Sequence, residues 1–387
     1  MRLIKHSSRW FLHSATAIAV LLSLPACGDK YASGQGVGTQ TTVAHRLSTT
    51  EFAELAETLS EPSGYFDTDN LISNETSYLH VMGSLEELGL SGGAYIGVGP
   101  AQNFSYIAQI RPRIAFIVDI RRDNLLEHLL FKALFDLAET RLEYLCLLTG
   151  RQCPENIEGW RNRPVGELVA HLDSQAADAD YANVSRLAII DLVKAYGIEL
   201  AEDDIATISE FRQAFVSAGL SLRFQSYNRP PRPDYPTLRQ LLLETDRTGR
   251  QANYLATDSG FQFVKSLEER NLIVPVIGDL AGPQALRRIG SYITGVGENV
   301  SGFYTSNVEF YLMRQGTFAR FVENVKSMPI DNKSAIIRSY FNRGYSQRLP
   351  QSVPGYSSTQ LLQIIETFIE GFDDGSYHTY WDIVSRR

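Results

Sequence analysis

The sequence predicts an α/β protein built on a doubly wound, mostly parallel sheet. Three observations carry that reading. Apolar runs at residues 94–98, 114–118 and 272–277 lack the alternation of half-exposed strands and have the character of parallel strands buried on both faces. The first run enters a glycine turn, Gly97-Val98-Gly99-Pro100, and the second ends at Asp119. Helical patterns separate them, giving strand, turn, helix, strand, acid and helix, the order of a Rossmann-like βαβ unit.

Taken in order, the chain begins with Arg2, Lys5 and Arg9, followed by a mostly apolar stretch over residues 10–24. Roughly twenty residues are needed to span a bilayer, so this run has the length of a signal-peptide core instead. It closes on Leu24-Pro25-Ala26-Cys27, which resembles the lipobox of bacterial lipoproteins. That resemblance implies a signal peptide over residues 1–26, cleavage before Cys27 and a lipid on its sulfur. An ordinary cleaved signal or an uncleaved anchor is the alternative. Gly28 in place of Asp points to outer-membrane sorting, with the protein in the cell envelope facing the periplasm or the surface. Residues 27–47 read as a flexible tether rich in Gly, Ser, Thr and Gln.

The globular part is expected over residues 48–387. A short helix over 48–59, with Thr49 or Thr50 as N-cap, precedes a loop-like stretch over 61–74 and a helix over 78–88. After the strand at 94, residues 104–110 form a helical face stopped by Arg111-Pro112, and 114–118 form the next strand. Leu125, Leu129, Ala133 and Leu137 then mark one long amphipathic helix over 124–148. Residues 150–252 interrupt this rhythm with helices near 184–196 and 205–218 and a polyproline-like link over 229–236, which reads as a helical insertion or lid. The rhythm returns with helices over 261–270, 284–294 and 318–328 and strands over 272–277, 299–304 and 334–341. A helix over 359–372 and a last strand over 377–384 end the chain. Pro275 is awkward for a central strand.

The chain has 387 residues, 44% hydrophobic and 21% charged, which is ordinary globular composition with ample apolar material for a core. The net charge is −8 and no run of Lys or Arg supplies a phosphate-binding face, which argues against nucleic acid. Cys146 and Cys153 are candidates for one disulfide in an oxidising compartment, or else two unpaired thiols. The seven His are scattered and no CxxC or Cys/His cluster occurs, so no metal is expected. The glycine needed for a calcium loop is missing near Asp67 and Asp69. GxSxG and P-loop motifs are absent.

Four groups of residues carry candidate chemistry. Gly97 and Gly99 let a ligand approach the backbone, and Asp119, about twenty residues on, is spaced to accept ribose hydroxyls. Ala101 stands where a third glycine is common and Pro100 removes an N–H, so a tight turn with Asp119 capping the next helix is the alternative. Asp279 ends a later strand and can accept from an adenine amino group or cap a helix. Asn307, Glu309 and Tyr311, beyond the strand at 299–304, are candidate catalytic residues that orient a polar substrate or move protons; packing at a helix start is the alternative. The polar stretch Tyr65-Phe66-Asp67-Thr68-Asp69-Asn70 with Ser73-Asn74-Glu75 reads as a solvated loop, or as one folded over the site.

The stretches SEPSGYFDTDNLISNE, YIGVGPAQNFSYIAQIRPRIAFIVDIRRDNLLEHLLFKALF, NLIVPVIGDLAGPQALRRIG and GFYTSNVEFYL resemble an uncharacterised bacterial family named after a Leptospira protein and described as methyltransferase-like. The resemblance covers most of the chain after about residue 50. It implies the class I methyltransferase version of the Rossmann sheet, with a final antiparallel strand, and S-adenosylmethionine as cofactor. Gly97 and Gly99 would then flank its methionine part, Asp119 its ribose and Asp279 its adenine, with Ser306-Asn307 along the substrate pocket. The function so implied is methyl transfer to a small molecule or envelope component by a lipid-anchored protein. S-adenosylmethionine is a cytosolic cofactor, which keeps open a non-catalytic binding or scaffold role.

Overall fold

A computed structural model of the protein describes residues 45–227, 230, 232–342 and 348–386, and Cys27 and the expected signal peptide lie outside them. Six strands form one mixed sheet: β1 (Ala94–Gly97), β2 (Ile114–Asp119), β3 (Ile273–Ile277), β4 (Val300–Ser306), β5 (Ala335–Phe341) and β6 (Ser358–Ile364). Their order is β3-β2-β1-β4-β5-β6. The first five run parallel and β6 lies antiparallel on β5, from Ala335 opposite Ile364 to Phe341 opposite Ser358. Every residue of β1 and β3 is buried, as their unbroken apolar runs require. Because β3 is an edge strand, Pro275 removes no ladder bond from the middle of the sheet. That edge is covered at its tip: Ser60 Oγ accepts from the Ile277 N–H (3.0 Å), and the Glu61 N–H donates to the Ile277 carbonyl (2.8 Å).

The chain end departs from its sequence pattern. The expected helix over 359–372 starts only at Ile365, and residues 358–364 are the antiparallel strand. Pairing along the open edge of β5 overrides the weak helical pattern of Thr359-Gln360-Leu361-Leu362. The expected last strand over 377–384 is instead the helix Tyr380–Ser385. It is set by a capping box in which Thr379 Oγ1 accepts from the Asp382 N–H (3.4 Å) and Asp382 Oδ2 from the Thr379 N–H (2.7 Å). Another capping box, Thr140 with Glu143, divides the expected long helix into Arg122–Leu137 and Arg141–Thr149.

One hydrophobic core runs under the sheet and into the inserted region. Phe104, Phe135, Tyr254 and Phe261 pack mainly edge to face, with ring centroids 5.2 Å apart for Phe104–Phe135 and 5.3 Å for Phe104–Tyr254. Within residues 150–252, helices Ala179–Ala195 and Glu202–Ala218 pack on helix Arg122–Leu137, and Arg122 is paired with Asp204 at 2.7 Å. Buried Val165, Leu168, Ile189, Ile208 and Phe215 belong to the same core as the sheet. Cys146 and Cys153 are joined, with Cα atoms 5.8 Å apart.

Residues 60–75 form a strap across the carboxyl ends of the strands. It starts on β3 at Ile277, where Glu61 Oε1 also accepts the free N–H groups of Gln284 (2.6 Å) and Ala285 (2.7 Å), capping helix Ala285–Gly295. It crosses β2, where the Gly64 N–H donates to the Ile120 carbonyl (2.7 Å) and Arg121 Nη1 donates to the carbonyls of Thr68 (2.9 Å) and Asp69 (3.2 Å). It ends beside β4 and β6, where Glu75 accepts from Ser306 Oγ and from Gln360 Nε2 (2.6 Å).

Two outcomes follow from this architecture. The bridge closes a loop with a sequence separation of 7. For so short a loop, reduction or Cys153→Ser is expected to lower the unfolding free energy by about 2 kcal/mol, read as a lower urea midpoint at constant slope. Burial raises the Asp69 carboxyl in the strap to about 6, against the opposing pull of the Gln225 N–H and Arg121. An unfolded Asp titrates near ~3.9, so the fold favours the protonated acid and this part of the stability fades as pH rises through about 6. Asp69→Asn, which keeps an acceptor for the Gln225 N–H (2.9 Å), should therefore raise Tm at pH 8 and lose that advantage near pH 4 (~the unfolded pKa). An equal shift at both pH values would contradict the assignment.

Candidate functional site

The strand order reverses between β1 and β4, and the crevice outside the carboxyl ends at such a point is where open α/β sheets hold ligands. Here the strap roofs it into a hollow of about 1100 Å³, open mouth included. Gly99 and Gln102 line it from the β1 side, Asp119 from β2, Asp279 from β3, and Ser306, Asn307 and Tyr311 from beyond β4; Thr68, Asn70 and Glu75 line it from the strap. Phe224 and Tyr235 of the inserted region complete the wall, so residues 150–252 contribute directly to the cavity.

The turn after β1 is shaped by one buried side chain. Asn103 Nδ2 lies within donor range of the carbonyls of Val98 (2.9 Å), Gly99 (3.1 Å) and Pro100 (2.8 Å), and its Oδ1 accepts from the Tyr95 hydroxyl (2.8 Å). His128 Nε2 adds a bond to the Gly99 carbonyl (2.9 Å). Gly99 needs its left-handed backbone (φ +79°), and a Cβ there would press on Gln102 and Asn70 at 3.2 and 3.3 Å. Gly97 does not line the hollow. It is glycine because a Cβ would collide with Asn103 Oδ1 and the Tyr95 ring, so its role is to admit the clamp.

Asp119 faces the hollow but is already engaged. Arg121 Nε and backbone N–H donate to its Oδ1 (3.1 and 3.0 Å), and Arg121 Nη2 donates to its Oδ2 (3.2 Å). A carboxylate offers about four acceptor positions, so Asp119 retains room for one further donor rather than two. Asp279 also lines the hollow, and its Oδ1 accepts from the Ala281 N–H (2.9 Å) within a local turn. Asn307 lines it without a side-chain capping bond, and Tyr311 lines it with its ring edge-on to Phe66 of the strap at 5.1 Å. Glu309 is elsewhere. It is 0% exposed and paired with Arg338 at 2.7 Å, with burial raising its carboxyl and Arg338 opposing. It fastens helix Val308–Gln315 to β5 and cannot reach the hollow as a proton carrier. Helix periodicity explains the difference: Tyr311 and Asn307 are four residues apart on one face, and Glu309 points the other way.

Two side chains that the sequence reading did not assign roles prove central. Arg121, two residues past Asp119, was legible as a local partner. Glu75 is 1% exposed yet lines the hollow, and burial raises its carboxyl, opposed by Ser306, Ser339, Tyr304 and Gln360, of which Ser306 and Gln360 donate hydrogen bonds to it. Ser306 holds a left-handed backbone (φ +52°), and so does Asn70 (φ +55°); both line the hollow, where such strain is commonly retained for function. Five aromatic residues and three carboxyls line the space, with no Lys, Arg or His among the described lining residues. Among the described residues no cluster of three or more His, Cys, Asp or Glu could hold a metal, and no helix is long and apolar enough to cross a membrane.

No curated protein matches the chain. A family model described as a domain of unknown function, DUF7790, matches residues 71–158 and 179–368, which take in all six strands, the strap's inner end and most of the inserted region. The chain therefore belongs to the DUF7790 family.

Proposed function

We propose that this protein is a lipid-anchored envelope protein whose Rossmann-like, methyltransferase-type domain binds S-adenosylmethionine in the roofed crevice and transfers its methyl group to a small molecule or envelope component. The observation that carries the reading is convergence. Gly99, Asp119, Asp279 and Asn307, far apart in sequence, line one hollow at the reversal of strand order. The donor set fits the cofactor in kind. A sulfonium and an ammonium are cations, and the wall offers carboxyls and aromatic faces, both of which attract cations. A ligand bearing phosphates would meet carboxyls with no compensating cation among the described lining residues. Asp279 at the β3 tip has the chemistry to accept an exocyclic amino group, and Asp119 has one acceptor position left for a ribose hydroxyl. When bound, S-adenosylmethionine supplies an electrophilic methyl group; the residues here bind, orient and shield it under the strap.

A second reading has its own support. The Arg121 clasp leaves Asp119 unable to take both ribose hydroxyls, which favours a non-catalytic site for a different small, phosphate-free ligand.

Titration calorimetry on the soluble form starting after Cys27 tests the two readings. S-adenosylmethionine and S-adenosylhomocysteine should bind while ATP does not, and Asp119→Asn should weaken binding by about ten- to a hundredfold, the loss of a charged hydrogen bond worth about 1.5–3 kcal/mol. Unchanged affinity removes Asp119 from the site. Absence of binding by both nucleosides, with another metabolite raising Tm, decides for the second reading. The anchor is tested separately: labelled palmitate should enter the wild-type chain and be lost in Cys27→Ser, with the variant moving to the soluble fraction.

A further inference from the structure

The hollow has two halves. The tips of β3, β2 and β1 present Asp279, Asp119 and Gly99, while β4, β5 and β6 surround Glu75 with Ser306, Ser339 and Gln360. The proposed cofactor uses the first half and leaves the second without a task. Glu75 lines it from the strap as a buried carboxyl with no ion pair among the described residues. Tyr95 from β1, Tyr106 from helix Gln102–Ile110, and Tyr304 and Ser306 from β4 face it, as do Ser339 and Gln360; none is a cation. The nearby Arg338 is committed to Glu309 and Gln363. A second, independent observation is an unpartnered acceptor. Gln102 is more than nine-tenths buried, lines the same hollow and donates from Nε2 to the Tyr304 hydroxyl of β4 (3.3 Å), yet its Oε1 has no partner among the described residues. A buried acceptor without a donor is costly, and a ligand rich in N–H groups would satisfy it. Phe66, Tyr311 and Leu312 supply an apolar wall of the same hollow.

We infer that this half is a binding site for a small primary amine carried on an aromatic or apolar body, with the ammonium seated on Glu75. The inference deepens the methyltransferase reading by naming the acceptor class, and it rests on that reading for the amine's role but not for its binding. Burial raises the empty site's carboxyl, so when an ammonium arrives from solution and pairs with the carboxylate, any proton held there leaves to the buffer. If methyl transfer follows, Glu75 takes a proton from the ammonium, and the freed nitrogen lone pair forms the N–C bond. The methyl carbon's bond to sulfur would break in that same displacement, its electron pair going to sulfur.

Calorimetry with tyramine, in two buffers of different ionisation enthalpy, tests the inference, with 4-hydroxyphenylacetate as the anionic control. Wild type should bind tyramine with net proton release that grows as the pH is lowered, and bind the control at least tenfold more weakly (roughly one charged hydrogen bond). Glu75→Gln mimics the neutral acid in shape, so Tm should hold while tyramine affinity drops at least tenfold (~the same loss) and proton release disappears. Equal binding of tyramine and the control, no proton release by wild type, or undiminished binding by Glu75→Gln would each overturn the inference; the wild-type measurements decide even if the variant does not fold. Tyramine binding without S-adenosylmethionine binding would uphold the amine site and sink the methyl-donor reading. The reverse pattern would sink the amine site alone.

Discussion

Arg121 is buried with its guanidinium divided between two tasks. Nε and Nη2 hold both oxygens of Asp119, and Nη1 holds the carbonyls of Thr68 and Asp69. The first task fixes the acidic tip of β2, and the second draws the strap down over it. Without Arg121 the strap would keep its pins at Ile277, Ile120 and Glu75 but lose its hold at Thr68 and Asp69. Loss of one partner of a buried ion pair costs about 3–5 kcal/mol because the other charge is stranded, so strap and strand tip form one unit. Nearby Glu127 belongs to the same neighbourhood: burial pushes its carboxyl well above the ordinary range, with Arg121 opposing. The guanidinium is thus the main positive charge in an acid-rich corner.

That corner sets the chemistry of the hollow. Arg121 spends its charge inside the wall, and the surface left to a ligand is carboxyl, amide, hydroxyl and aromatic ring. Electrostatics here would select by exclusion as much as by attraction, since an anion would be desolvated against like charge with no cation among the described lining residues to pair with. On the strap itself, Tyr65 lines the hollow and is 72% exposed, an aromatic surface left to water in a protein whose other large apolar groups are mostly enclosed. Such a ring can stack on the outer end of whatever occupies the crevice.

Much of the fold was legible because burial on both faces leaves a strong trace. Residues 94–97, 114–119 and 273–277 could hardly be anything but strands buried on both faces, and the acids and glycines at their ends marked the crevice. The β6 strand left no such trace: Thr359-Gln360-Leu361-Leu362 owes its extended form to the neighbour it pairs with, which lies in another part of the chain. The capping boxes at Thr140 and Thr379 were readable, and apolar periodicity drew attention away from them. At the site, Asp119, Asp279, Asn307 and Tyr311 lie on the hollow, while Glu309 and Gly97 face inward to packing. Glu75 was visible only as one acid in a polar loop, because its neighbours Ser306 and Gln360 come from strands far downstream.

The distance along the chain between Glu75 and its two hydrogen-bond donors has a consequence for biogenesis. The donors lie 231 and 285 residues later, so a polypeptide emerging N-terminus first presents its roof long before the floor has been made. Contacts of such span form late and slowly, and until Gln360 arrives the early segment has nothing to close upon. The roof is therefore fully fastened only once Gln360 has been made, and a prematurely terminated chain would carry the acidic strand tips beneath a strap that lacks one of its inner pins.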